Sequence, residues 1–121
     1  MSNILEDVKH KVGPSGDYEY YNTDIMDGIN EAFAVLAQLG AGPAKGFKIE
    51  TGDETWDDFE TDIVIQDLVK QYVYLKVRDT FDPPNSSFVL SNMKEKIKEY
   101  EWRINVEADP ARRALHHEES E

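Results

Sequence analysis

The chain has no cysteine among its 121 residues, which excludes a disulfide framework and a thiolate metal site. It has no run of eighteen apolar residues either, so the sequence predicts no membrane-spanning helix. Residues 1–7 lack the basic start and the apolar centre of a signal peptide. We therefore expect a protein that is made and kept in a cytoplasm.

Basic residues are scarce: 13 lysines and arginines stand against 25 aspartates and glutamates, giving a formal net charge of −12. Such a surface repels phosphate, so specific wrapping of nucleic acid is not expected, and binding to anionic membranes is disfavoured. Solubility is the ordinary reason for a charge of this kind. A second interpretation is a surface that must lie near DNA without gripping it, and charge alone does not separate the two.

Catalytic and metal-binding motifs are also missing. The three histidines, His10, His116 and His117, form no His-x-x-x-His pair, and there is no Gly-x-Ser-x-Gly elbow. Segment 40–46 is glycine-rich but lacks the Gly-Lys-Ser/Thr ending of a phosphate loop. The acidic run 53–62 lacks the glycine that a calcium-binding EF-hand loop needs. The sequence thus predicts no enzyme, no cofactor and no metal site.

Apolar residues recur at helical spacing along most of the chain, which predicts a mainly α fold: a bundle of about four helices. The strongest signal is an αα-hairpin over about 62–107, whose corner is Asp82-Pro83-Pro84-Asn85-Ser86-Ser87. Proline ends the first helix of the hairpin, and a serine caps the second. We predict one helical domain, 1–108, and a flexible tail, 109–121. The side chains expected to be mostly buried are Leu36, Leu68, Tyr72, Leu75, Ile97 and Tyr100.

A long loop is predicted at about 41–55, and within it Phe47-Lys48-Ile49-Glu50 alternates as a short strand does. A single strand needs a partner for its backbone groups, and no other segment of the chain is an obvious one. Pairing with a neighbouring subunit is therefore one possibility. We predict inter-subunit contacts at Phe47, Ile49, Trp56 and Phe59, the last two facing the same way.

Segments in consistent order over about residues 4–107 resemble the head–tail connector, or adaptor, proteins of long-tailed double-stranded-DNA bacteriophages and prophages. No single segment is a catalytic signature, and the likeness lies in their combination. They are Thr23-Asp24-Ile25, Phe33-Ala34-Val35-Leu36, Gln38-Leu39-Gly40-Ala41-Gly42-Pro43, Leu68-Val69-Lys70-Gln71-Tyr72-Val73-Tyr74-Leu75-Lys76-Val77-Arg78, Phe81-Asp82-Pro83-Pro84-Asn85-Ser86-Ser87 and Glu101-Trp102-Arg103-Ile104-Asn105.

This resemblance implies a helical virion protein of the neck, assembled in the cytoplasm of the host bacterium. Family members form a homo-oligomeric ring, dodecameric like the portal, that docks beneath the portal and extends the DNA channel. The ring joins the head to the stopper or tail-completion proteins, and double-stranded DNA passes through it without sequence-specific contacts. The family carries no catalytic residue and no cofactor.

The tail offers two charges and one apolar anchor, Arg112, Arg113 and Leu115, and we expect it to become ordered against the portal. Two other classes of function remain open from the sequence. One is a monomeric acidic helical binding module, or a DNA-mimic regulator that blocks a basic site. The other is a small enzyme, although the sequence contains no catalytic motif that supports it.

Overall fold

A computed structural model describes residues 3–12, 22–43, 45–81 and 84–108, and these residues form a helical bundle without a sheet. The mainly α prediction is therefore confirmed. The αα-hairpin is formed by the last two helices, close to the predicted bounds. The helices of the described residues are α1 (Ile4–Val12), α2 (Asn22–Gln38), α3 (Trp56–Phe59), α4 (Ile63–Phe81) and α5 (Ser87–Ala108).

Side chains that precede the helices supply their first hydrogen bonds. The Asn3 side-chain oxygen accepts from the Glu6 N–H at 2.7 Å at the start of α1. Asp62 accepts from the Val64 N–H at 3.0 Å before α4. Ser86 accepts from the Val89 N–H at 3.4 Å, so Ser86 fills the predicted capping position of α5. Local chemistry thus fixes where these helices begin.

Helix α4 lies at the centre of the bundle, where it packs against α1, α2, α3 and α5. A helix covered on more than one side needs apolar residues around much of its circumference. Val69, Tyr72, Val73 and Val77 are fully or almost fully buried. Val64, at the start of α4, remains 45% exposed.

All six residues of the core prediction pack in or against the core. Leu36, Tyr72 and Ile97 are buried. The other three side chains are partly buried and pack against this core, because α5 packs chiefly on α4 and leaves one side of the hairpin uncovered. These are Leu68, Leu75 and Tyr100.

The short strand predicted at 47–50 does not form, and no strand occurs in the described part of the chain. The Asn30 side chain takes the place of a partner strand: its amide donates to the Ile49 carbonyl at 2.9 Å and accepts from the Ile49 N–H at 2.7 Å. An isolated bridge joins Asn3 to Thr55. None of the described helices is long and apolar enough to cross a membrane.

Candidate subunit-contact surfaces

The loop that was predicted to contact a neighbour is held on its own subunit by Glu54. The Glu54 carboxylate accepts hydrogen bonds from the N–H groups of Glu50, Thr51 and Gly52, at 2.8, 3.2 and 3.0 Å. The Glu54 carbonyl also accepts from the Ile4 N–H at 2.9 Å, which ties the loop to the start of α1. The turn is therefore built around one carboxylate.

The environment of Glu54 favours its ionised form. Burial raises the pKa of this carboxyl, but hydrogen bonds from the backbone of residues 50, 51, 52 and 54 outweigh this effect. The net result is a pKa lowered from 4.5 to about 2. Gly52 closes the turn with a φ of +87°, a conformation that favours glycine. The side chain of Leu5 lies 3.0 Å from the position that a Cβ on this glycine would take.

The four residues predicted as inter-subunit contacts come together, but in the core of their own subunit. Phe47 and Phe59 pack around Phe33, with ring centroids 5.2 and 4.8 Å from its centroid. Trp56 lies 6.3 Å from the same ring. Ile49, Trp56 and Phe59 are almost completely buried, and Phe47 is half-buried.

Trp56 is also fixed by polar contacts. Its indole N–H donates to the Asp7 carboxylate at 2.8 Å, and the Tyr74 hydroxyl donates to the same oxygen. Burial and the contact with Asp7 raise the pKa of the Tyr74 hydroxyl above its ordinary range, so it stays a donor. An inter-subunit role of this aromatic cluster stays a prediction, and only Phe47 has substantial surface left for it.

An open apolar groove lies between the start of α4 and the end of α5. Its volume is about 550 Å³. Trp102 is 59% exposed, and Val64 forms part of the facing wall. Polar groups stand among the apolar ones at the groove, Arg103 being paired with Glu99 at 3.1 Å. The lining residues are Val64, Asp67, Leu68, Gln71, Tyr100, Trp102, Arg103, Val106 and Glu107.

A second exposed apolar feature lies at the other end of the hairpin, where α5 begins. Phe88 is 74% exposed and Val89 is 47% exposed. Residues 84–92, which include both, carry no charge, although 31% of the whole chain is charged. Large exposed apolar side chains beside an uncharged surface are typical of a protein contact site.

Sequence reasoning did not find these two surfaces. Apolar spacing along the sequence does not show that Trp102 and Phe88 stay exposed, because their exposure depends on how the helices pack. Arg112, Arg113 and Leu115, predicted to dock on the portal, lie outside the described residues. Over the described ranges, no three histidine or acidic side chains are grouped so that they could hold a metal ion.

The chain was compared with protein families, curated proteins and solved structures. The family model described as phage connector protein matches residues 4–111. No curated protein and no solved structure matches. The match spans all five helices of the bundle and both exposed apolar surfaces of the hairpin. The chain therefore belongs to the phage connector protein family, and it is a structural component of a bacteriophage virion.

Proposed function

We propose that the protein is a ring-forming head–tail connector subunit of the virion neck. In this role it docks beneath the portal, extends the DNA channel and provides the surface to which the stopper or tail-completion proteins bind. The family match over residues 4–111 is the observation that carries this proposal. Its role is structural and not enzymatic.

The two exposed apolar surfaces of the hairpin support assembly of several copies. A ring requires a heterologous interface, in which two different surfaces of each subunit meet their counterparts on two neighbours. The groove and the Phe88 surface differ in shape and lie at opposite ends of α5. A homo-oligomer, dodecameric like the portal, is the form we propose.

The charge of the chain supports a passive channel for double-stranded DNA. A net charge of −12 disfavours a tight grip on phosphate, so DNA passes the ring without sequence-specific contacts. Packaging and ejection both require such passage. The two lysines at the loop, Lys45 and Lys48, are exposed and leave room for local, weak contacts only.

We assign portal docking to the tail, residues 109–121, with Arg112, Arg113 and Leu115 as anchors. The helical domain, 1–108, then acts as the ring body. A dozen weak attachments around one ring add up to firm binding, because each further attachment is intramolecular. The loop 41–55 remains the second proposed contact with a neighbour, through the exposed part of Phe47.

Removal of the gene from the phage tests the proposed function. We expect DNA-filled heads and complete free tails that do not join, and supply of the chain from a plasmid restores joining. Normal particles from the deletion phage would contradict the proposal. Empty, unfilled heads would place the protein at an earlier step.

The acidic surface also suits a second candidate, a monomeric binding module or DNA-mimic regulator. Such a protein would bind a basic site on another protein and would be absent from purified particles. Its presence in particles at a fixed ratio to the portal separates the two candidates.

A further inference from the structure

The inter-subunit contact can be assigned to particular residues of the hairpin. We propose that Phe88 of one copy inserts into the groove of the next copy, between Val64, Leu68 and Trp102. This inference rests on the proposed function, because it names the contact that closes the ring. It differs from the loop contact, which the sequence indicated.

The Phe88 side chain projects into solvent from its own subunit. It lies in the first turn of α5, after the Ser86 cap, and its side chain is 74% exposed. An aromatic side chain in water is a favoured anchor, because burying it removes a large apolar area from solvent at a small cost in side-chain entropy. Val89 beside it, 47% exposed, widens the apolar surface.

The groove has the room and the chemistry to receive an aromatic ring. Its volume is about 550 Å³, whereas a cavity of about 150 Å³ holds a benzene ring. Val64 and Leu68 come from α4, and Trp102 comes from α5, so the inserted phenylalanine side chain would lie between two helices. Trp102 and Tyr100 offer edge and face contacts to an incoming phenylalanine.

Charge supports the Phe88 segment of a second copy as the occupant. Two copies that each carry −12 repel one another over most of their surfaces. The segment around Phe88, residues 84–92, is free of charge and can approach the groove without bringing acids against Asp67 and Glu107. The basic tail segment at Arg112 and Arg113 is the competing occupant, because in sequence it follows α5, whose last turn lines the groove.

The placement of the two surfaces fits a head-to-tail contact. Fourteen residues separate Phe88 from Trp102 on α5, a distance of about 21 Å along the helix axis. Phe88 therefore cannot reach the groove of its own subunit. Each copy offers Phe88 at one end and receives a neighbour at the other, which builds a ring or, with a two-fold axis, a dimer.

A photo-crosslinking probe at position 88 tests the contact in assembled particles. The variant Phe88→benzoylphenylalanine keeps an aromatic side chain and is supplied from a plasmid to the phage that lacks the gene. Particles from a mixture of isotopically labelled and unlabelled chains are irradiated, and the crosslinked peptides are identified by mass spectrometry. The control carries the same probe at Asp27, an exposed residue of α2.

We expect crosslinks between position 88 of one copy and the peptides around Val64 or Trp102 of another, and none to the groove from position 27. Crosslinks from position 88 to another protein, to the tail or to no protein would overturn the contact while leaving the ring in place. If the chain is absent from particles, the proposed function fails first. Crosslinks that stop at dimers would keep the contact and contradict the ring.

A second variant tests the same contact without the probe. Phe88→Ser should weaken self-association by about tenfold to a hundredfold, because the burial of one phenylalanine is lost. Ser91→Ala, on the neighbouring turn, is the matched control. Circular dichroism reports whether both variants stay folded, which we expect because both side chains are exposed. Unchanged association of Phe88→Ser would overturn the contact.

Discussion

Single polar side chains organise the loop of this subunit. Asn30 satisfies both backbone groups of Ile49, whose side chain is only 1% exposed. Glu54 gathers three backbone N–H groups in one turn. Both residues act as substitutes for regular secondary structure, because a segment without a partner strand must satisfy its backbone in some other way.

Replacing Asn30 should therefore loosen the loop. Asn30→Ala leaves the Ile49 N–H and carbonyl without partners, so we expect a loss of about 1–3 kcal/mol in the free energy of unfolding. Urea denaturation followed by circular dichroism measures it. Asn92→Ala, on the exposed face of α5, is the control and should change little. Equal stability of the two variants would argue against the role of Asn30.

Glu54 should make the free energy of unfolding depend on pH in the acidic range. Its pKa is about 2 in the folded chain against 4.5 as the ordinary value. A lowered pKa stabilises the fold above pH 4.5, and this contribution is lost as the pH falls toward 2. The group is partly exposed, so solvent screens the interaction and we expect the effect to be about 1 kcal/mol.

The variant Glu54→Gln isolates this contribution. It should be less stable than the parent at neutral pH, and the difference should shrink as the pH is lowered through this window, as followed by urea denaturation at each pH. Glu50→Gln, a change at an exposed neighbour, is expected to follow the parent. A difference that does not vary with pH would mean that Glu54 acts through shape alone.

At the scale of the elements, the helices were predictable and their surroundings were not. Apolar spacing is a local property, so the sequence indicated the hairpin of α4 and α5 close to its true bounds. The prediction of a short strand was wrong because the backbone of Ile49 is bonded by a side chain, that of Asn30, which lies nineteen residues away on a helix. Which flank of the hairpin stays open depends on the packing of α5 against α4, so the groove could not be read from periodicity.

Two glycines show how helix packing differs from loop packing. A Cβ at Gly28 would lie 3.8 Å from the Val77 side chain, an ordinary contact. Gly28→Ala should therefore stabilise α2 by about 1 kcal/mol, through helix propensity. A Cβ at Gly42 would lie 2.4 Å from the Phe59 ring, and the backbone there has a φ of +83°.

We expect Gly42→Ala to cost about 2–4 kcal/mol, because the left-handed backbone is strained and the aromatic cluster must shift. Thermal denaturation of both glycine variants checks the pair. Opposite signs of the two shifts in melting temperature are the expected result. Destabilisation by Gly28→Ala would mean that α2 and α4 lie too close for any added methyl group.

At the scale of the whole molecule, the tail is proposed to attach the ring to the portal. Truncation after Ala108 removes Arg112, Arg113 and Leu115 while keeping all five helices. We expect the truncated chain to keep its helical circular dichroism spectrum and to lose most of its binding to purified portal. The triple variant with alanine at these three positions is the matched control. Undiminished portal binding would leave the tail without this role.

Family membership, the helical fold and the acidic surface all followed from the sequence, because each depends on residues in order along the chain. The proposed contact surfaces did not, since the exposure of Phe88 and Trp102 depends on how the helices pack. The aromatic residues near the loop illustrate the converse. Trp56 and Phe59 were predicted to contact a neighbouring subunit, and within the chain they are almost completely buried; their inter-subunit role stays a prediction.

The most direct test of the ring-forming connector is a symmetry-free reconstruction of the neck of assembled particles by electron cryomicroscopy. We expect a closed ring of this helical bundle beneath the portal, coaxial with the DNA channel, with each Phe88 against a neighbouring groove. Necks in which another protein fills the position beneath the portal would contradict it.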